Sequence, residues 1–148
     1  MISEQEILNL AKDITKKEKL NIVVKFLPYK QFIKEAKKSP LIRQVLKEGN
    51  DFYDLNVPSL FSHKTNIIYL NKKILTKLLH DEPLSIQKRF ILAIIYHEIF
   101  HFINKQKLKD KSLNAALFSE ERAEKDFKKH FPSLAALAKR ISKKYINI

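Results

Sequence analysis

The 148-residue sequence predicts a single α+β domain, residues 1–148, in which a small sheet packs around one buried helix. Two observations predict it. The β-rich stretches Asn21 to Leu27 and Asn66 to Asn71 are separated by segments whose apolar residues recur at helical spacing. The stretch from Phe90 to Ile103 is apolar nearly all round a helix, through Phe90, Ile91, Leu92, Ile94, Ile95, Ile99, Phe102 and Ile103, which marks a helix enclosed by the rest of the fold.

Taken in order, Ser3 followed by Glu6 is a capping-box pair, and Ile7, Leu8, Leu10, Ala11 and Ile14 continue it as a helix over residues 3–19. Ile22, Val23, Val24 and Phe26 make a strand that Pro28 stops. Residues 31–48 read as helix in two pieces, interrupted at Ser39-Pro40 and ended by Gly49. Val57 to Phe61 and Asn66 to Asn71 form a hairpin across the polar stretch Ser62 to Asn66. Asp81 or Ser85 is expected to cap the long helix, which runs to about Gln106. A polar loop at 107–112, a helix from Ser119 to His130, a break at Phe131-Pro132-Ser133 and an amphipathic helix from Ser133 to Tyr145 complete the chain.

Composition excludes several classes. There is no cysteine, hence no disulfide and no thiolate metal site. The single glycine, Gly49, rules out glycine-rich phosphate loops. The start, MISEQEILNL, lacks the basic and apolar regions of a secretory signal, and no apolar run reaches the length of a membrane span; a cytoplasmic location is expected. The formal charge of +13 would attract nucleic acid or acidic protein, but the lysines are spread along the chain without an aromatic stripe, which also suits a general lysine bias.

The strongest chemical signal is His97-Glu98-Ile99-Phe100-His101. Residues four apart share a helical face, so both imidazoles point the same way and can hold zinc. Glu98 stands about 100° around the helix, within reach of an activated water and off the metal position, as a general base requires. Burying these three groups without partners would cost several kcal/mol, so a site is the economical explanation of their presence on this helix. A catalytic zinc needs a third protein ligand. Among Glu120, Glu121, Glu124, Asp126 and His130, Glu120 is favoured: Glu124, Phe127 and Phe131 continue its face, whereas Glu121 shares a face with Lys125 and Lys128 and reads as solvated. Glu124 suits the role of accepting the free N–H of a ligand histidine. His130 is a minor alternative third ligand.

The segment Ser119-Glu120-Glu121-Arg122-Ala123-Glu124, with the His-Glu-x-x-His helix, resembles the gluzincin metallopeptidases, with Glu124 standing where Asp or Asn is usual. Over about residues 66–131 the chain is similar to the single-domain minigluzincins of archaea and to the catalytic core of ImmA/IrrE-type regulators. The resemblance implies a zincin-like fold, zinc held by His97, His101 and Glu120, and hydrolysis of a peptide or protein substrate with Glu98 as base. It also implies an edge strand, here Ile67 to Leu70, on which the substrate adds as a strand. Latency through a terminal segment, here residues 143–148, is a further implication. The competing expectation is a basic nucleic-acid- or partner-binding regulatory protein whose zinc site is structural or vestigial. The oxyanion stabiliser stays unassigned among Tyr69, Arg122, His130 and Tyr145; Tyr96, just before the motif, points to another face of the helix.

Overall fold

The computed structural model describes residues 1–38, 57–62, 64–106 and 113–146, with side chains described for 1–38, 57–62, 64–104 and 121–143. Helix α1 (Glu4–Lys17) starts where the Ser3 hydroxyl accepts the Glu6 N–H at 3.1 Å. Glu4 and Glu6 in its first turn and Lys16 and Lys17 in its last complement the helix dipole. It buries Ile7, Ala11 and Ile14 of the stripe read from the sequence, leaves Leu8 and Leu10 half-buried, and stops short of Lys19, whose φ of 54° is left-handed. Strand β1 (Val23–Leu27) gives way at Pro28 to α2 (Tyr29–Ala36), which buries Phe32 and Ala36. This helix is the first of the two pieces expected over 31–48; the second lies outside the described residues.

Strands β2 (Ser59–Ser62) and β3 (Ile67–Asn71) form the expected hairpin. Asn66, which tolerates the left-handed region, sits at φ 57° and donates its N–H to the Ser62 carbonyl at 2.9 Å. The sheet order is β1-β3-β2, with β1 parallel to β3 and β2 antiparallel to it. One expectation is therefore corrected. Ile67 to Leu70 is not an edge strand but the central one, hydrogen-bonded on both sides, and every residue from Ile68 to Asn71 is buried. Ile68 and Leu70 enter the main core with α1 and the long helix, while α2 packs on the strand as well. The edge that lies against the long helix belongs to β2.

Helix α3 (Lys72–Leu79) follows β3 with no loop and was not assigned from the sequence. Asn71 makes the switch. It is fully buried; its side-chain oxygen accepts the Ile74 N–H at 3.4 Å, its amide donates to the Val57 carbonyl at 3.2 Å, and its backbone N–H donates to Pro58 at 2.9 Å. One residue thus caps a helix and fixes the approach to β2.

The long helix, α4 (Leu84–Gln106), matches its expected span but not its expected start. Ser85 lies inside the helix rather than at its cap, and the Pro83 carbonyl accepts the N–H groups of Ile86 and Gln87, both at 3.0 Å. Buried Gln87 donates to the Leu79 and Glu82 carbonyls and accepts the Ile2 N–H, tying the chain start to this corner. Helix α5 (Leu113–His130) begins earlier than the residue pattern indicated and packs along α4. Phe131 alone separates it from α6 (Pro132–Ile146), which opens with proline at its first helical position. Leu137 and Ile141 of α6 join the core, so this helix is a packing element; of the segment 143–148 expected to confer latency, all side chains but that of Lys143 lie outside the described residues. No helix among the described residues is long and apolar enough to cross a membrane.

Replacing Asn71 by alanine leaves the Val57 carbonyl and the Ile74 N–H without these partners. Asn71→Ala is expected to lower stability by about 1–3 kcal/mol, read by urea unfolding; an unchanged midpoint would contradict the dual role.

Candidate metal centre

Helix α4 is enclosed by the sheet, α1, α5 and α6, and its buried surface still carries polar groups. His97 and His101 lie one turn apart, with their Nε2 atoms 3.2 Å apart and ring planes 69° from parallel. Two nitrogens bound to one zinc at about 2.05 Å in a tetrahedral arrangement would stand roughly 3.3 Å apart. The pair fits one shared metal; without metal, one neutral imidazole donates its N–H to the other. Glu98 completes the group, and single ligand atoms of His97, Glu98 and His101 all fall within 4.8 Å of one another. These three residues can hold a metal ion. His101 and Glu98 are each only 5 % exposed, so a charge brought here is shielded from water.

The surroundings fix each side chain. Strand β2 grips α4 at two points. Residues two apart on a strand and four apart on a helix each share a face, and here Ser59 and Phe61 meet Glu98 and Phe102. The Ser59 hydroxyl donates to Glu98 Oε1 at 2.8 Å, and the Phe61 and Phe102 rings pack edge-on, 6.0 Å between centroids. On the other flank, Phe127 of α5 packs edge-on against the His97 ring at 5.7 Å. Asn104, one turn beyond His101 and 2 % exposed, donates to the Phe100 carbonyl at 2.8 Å and to Asp126 Oδ2 at 3.2 Å, which fastens α5 to α4. Its own Oδ1 has no hydrogen-bond donor among the described residues.

The downstream candidates separate clearly. Glu121 is exposed, in line with its solvated face. Glu124, expected to accept from a ligand imidazole, is exposed as well: it lies about 100° past the buried Ala123 on the helix. His130 is exposed, with Nδ1 at 2.9 Å from its own helix's Asp126 carbonyl. Among the described acids of α5, Asp126 reaches α4, yet neither it nor Glu121, Glu124 or His130 belongs to the metal-capable group. Glu120 is a residue of α5 whose side chain lies outside the described residues.

Tyr96 points away from this group, as its place on the helix implies. Its hydroxyl donates to Glu18 Oε1 at 3.3 Å, and its ring stacks at 4.5 Å on Phe131. Burial, and then the charge and hydrogen bond of Glu18, hold its pKa above the ordinary phenol value of 10.0. The neutral phenol is thus the form the fold prefers, and its contribution to stability is lost as the pH rises past that value. Of the residues considered for oxyanion stabilisation, Tyr69 is buried in the sheet and Arg122 is exposed; the Tyr145 side chain lies outside the described residues.

Ser59 and Asn104 were not identified from the sequence. Asn104 continues the His97–His101 stripe at the next helical interval, a signal that was available. Ser59 stands 39 residues from Glu98, and no local pattern links them. Comparison with protein families, with curated proteins and with solved structures returned no match.

One divalent metal ion per chain is expected in native mass spectrometry at neutral pH when zinc or cobalt is supplied. The double variant His97→Ala/His101→Ala should take up none at the same concentration; retention of one ion per chain by that variant would place the metal elsewhere.

Proposed function

We propose that the chain is a zinc-dependent peptidase of gluzincin type, with a zincin-like arrangement of α4 over the sheet. The observation that supports it most directly is the buried trio on α4: two imidazole nitrogens at a separation that suits one metal, and a carboxylate beside them held by Ser59. A bound zinc ion would supply Lewis acidity, bringing water toward a neutral pKa and polarising a carbonyl. His97 and His101 are the ligands on α4. Glu120 is the proposed third. Seven residues of helix fall about 20° short of two full turns, which places position 120 at nearly the angle of Phe127, whose ring meets His97. The other downstream acids and His130 stand outside the metal-capable group.

Glu98 accepts the proton of the attacking water and returns it to the leaving amine. Its burial keeps bulk water from competing for the proton. The peptide substrate lies along β2, whose outer edge pairs with no strand among the described residues, by strand addition. This replaces β3 in the docking role.

A second reading draws on the charge of +13 and on an open basic cleft between α2 and α3, lined by Pro28, Tyr29, Lys72, Lys73, Thr76 and Lys77, where Lys73 Nζ stands 4.3 Å over the Tyr29 ring. It makes the chain a nucleic-acid- or partner-binding regulator with a structural metal. Glu98 favours the enzyme, because a structural centre needs no base poised beside its ligands.

Glu98→Ala is expected to keep the metal and the fold while losing about 10²- to 10⁴-fold in peptide hydrolysis, measured on an unstructured protein substrate; activity near that of the parent chain would remove Glu98 from the chemistry. Glu120→Ala should release zinc to a competing chelator far more readily than Glu121→Ala. The reverse order would move the third ligand to Glu121.

A further inference from the structure

Glu98 is placed where it could serve in two ways. Its carboxylate lies within 4.8 Å of the imidazole nitrogens, and carboxylate oxygen is an ordinary zinc ligand. A glutamate bound to the metal cannot act as a base. What decides between the two roles is the direction in which the carboxylate is held. An ionised carboxylate only accepts hydrogen bonds and has two oxygens to do so. One of them, Oε1, is taken by the Ser59 hydroxyl at 2.8 Å, on the β2 side of the helix.

The donor is itself rigidly mounted. Ser59 pairs with Leu70 in the β2–β3 ladder, Phe61 two residues on locks against Phe102, and Asn71 holds the Val57 and Pro58 carbonyls just before it. A hydroxyl on a strand fixed at three points can hold a buried carboxylate against the pull of a nearby cation. A hydrogen bond to a charged group in such surroundings is stronger than one between neutral groups.

We propose that Ser59 is a positioning residue that anchors Glu98 to β2, leaving its second oxygen for water and keeping the carboxylate out of the metal's coordination sphere. This rests on the peptidase reading for its catalytic consequence, but not for its structural one. A serine that only satisfied a buried carboxylate would affect stability and nothing else.

The test compares the cobalt-substituted parent chain with Ser59→Ala, Ser59→Thr and Ser59→Val. Visible absorption of cobalt reports which groups coordinate it. Ser59→Ala and Ser59→Val should show an altered spectrum, as the released carboxylate joins the metal, while Ser59→Thr keeps the parental one. With zinc, Ser59→Ala should lower kcat by about 10- to 100-fold with KM little changed, and Ser59→Thr should restore most of it. Threonine and valine have nearly the same shape, so a packing defect would strike both alike. Parental cobalt spectra in both Ser59→Ala and Ser59→Val would overturn the proposal, whatever happens to stability. If the parent chain binds cobalt but cleaves no peptide, the peptidase reading fails, and the spectra still decide the role of Ser59. A parent chain that takes up no cobalt overturns both.

Discussion

The buried side of a helix has to find partners for the polar groups it carries, because those groups cannot turn to water. That constraint shapes the surroundings of α4. Gln87 near its start meets the Leu79 and Glu82 carbonyls and the Ile2 N–H; Glu98 meets Ser59; Asn104 meets Asp126. Each bond reaches a different neighbour: the chain start and the α3–α4 corner, the edge strand, and α5. The polar groups of the helix therefore set the positions of the elements around it, while Phe90, Ile91 and Ile95 supply the apolar burial. His97 and His101 answer the same demand by facing each other.

Much of this was legible in the sequence where a local period carried it. The stripe Ile7, Ala11, Ile14 gave α1, and the run from Phe90 to Ile103 gave an enclosed helix. The spacing of His97 and His101 put two imidazoles on one face. Strand roles were not legible. Ile67 to Asn71 reads as a strand wherever it sits in a sheet; only the pairing of β1 with it, across more than 40 residues of sequence, makes it central. Its run of consecutive buried residues was nonetheless a hint, since strands covered on both faces lose the alternation of apolar and polar residues.

Boundaries failed where a side chain or a proline did the work of a loop. Asn71 ends β3 and caps α3 in one step, so the expected spacer between strand and helix does not exist. Pro83 begins α4 through its carbonyl, and Ser85, read from the sequence as a possible cap, lies inside the helix. The orientation of α5 was partly readable. Ala123 and Phe127 mark its buried face, but Glu124 flanks that face and Asp126 enters from the opposite flank. A helical wheel alone ranks two such positions poorly, because the angle at which a neighbouring helix crosses decides which flank is covered.

The two-point grip of β2 on α4 also orders events in time. The imidazole pair needs only one helix, and helices form in about a microsecond or less. The seat of Glu98 requires Ser59 from a strand 39 residues earlier, in a sheet whose β1–β3 pairing is long-range and parallel. Such contacts are the slow ones in folding. The nascent chain can thus bring its imidazole pair together before the carboxylate of Glu98 is seated, so the complete metal-capable trio exists only once the sheet has closed.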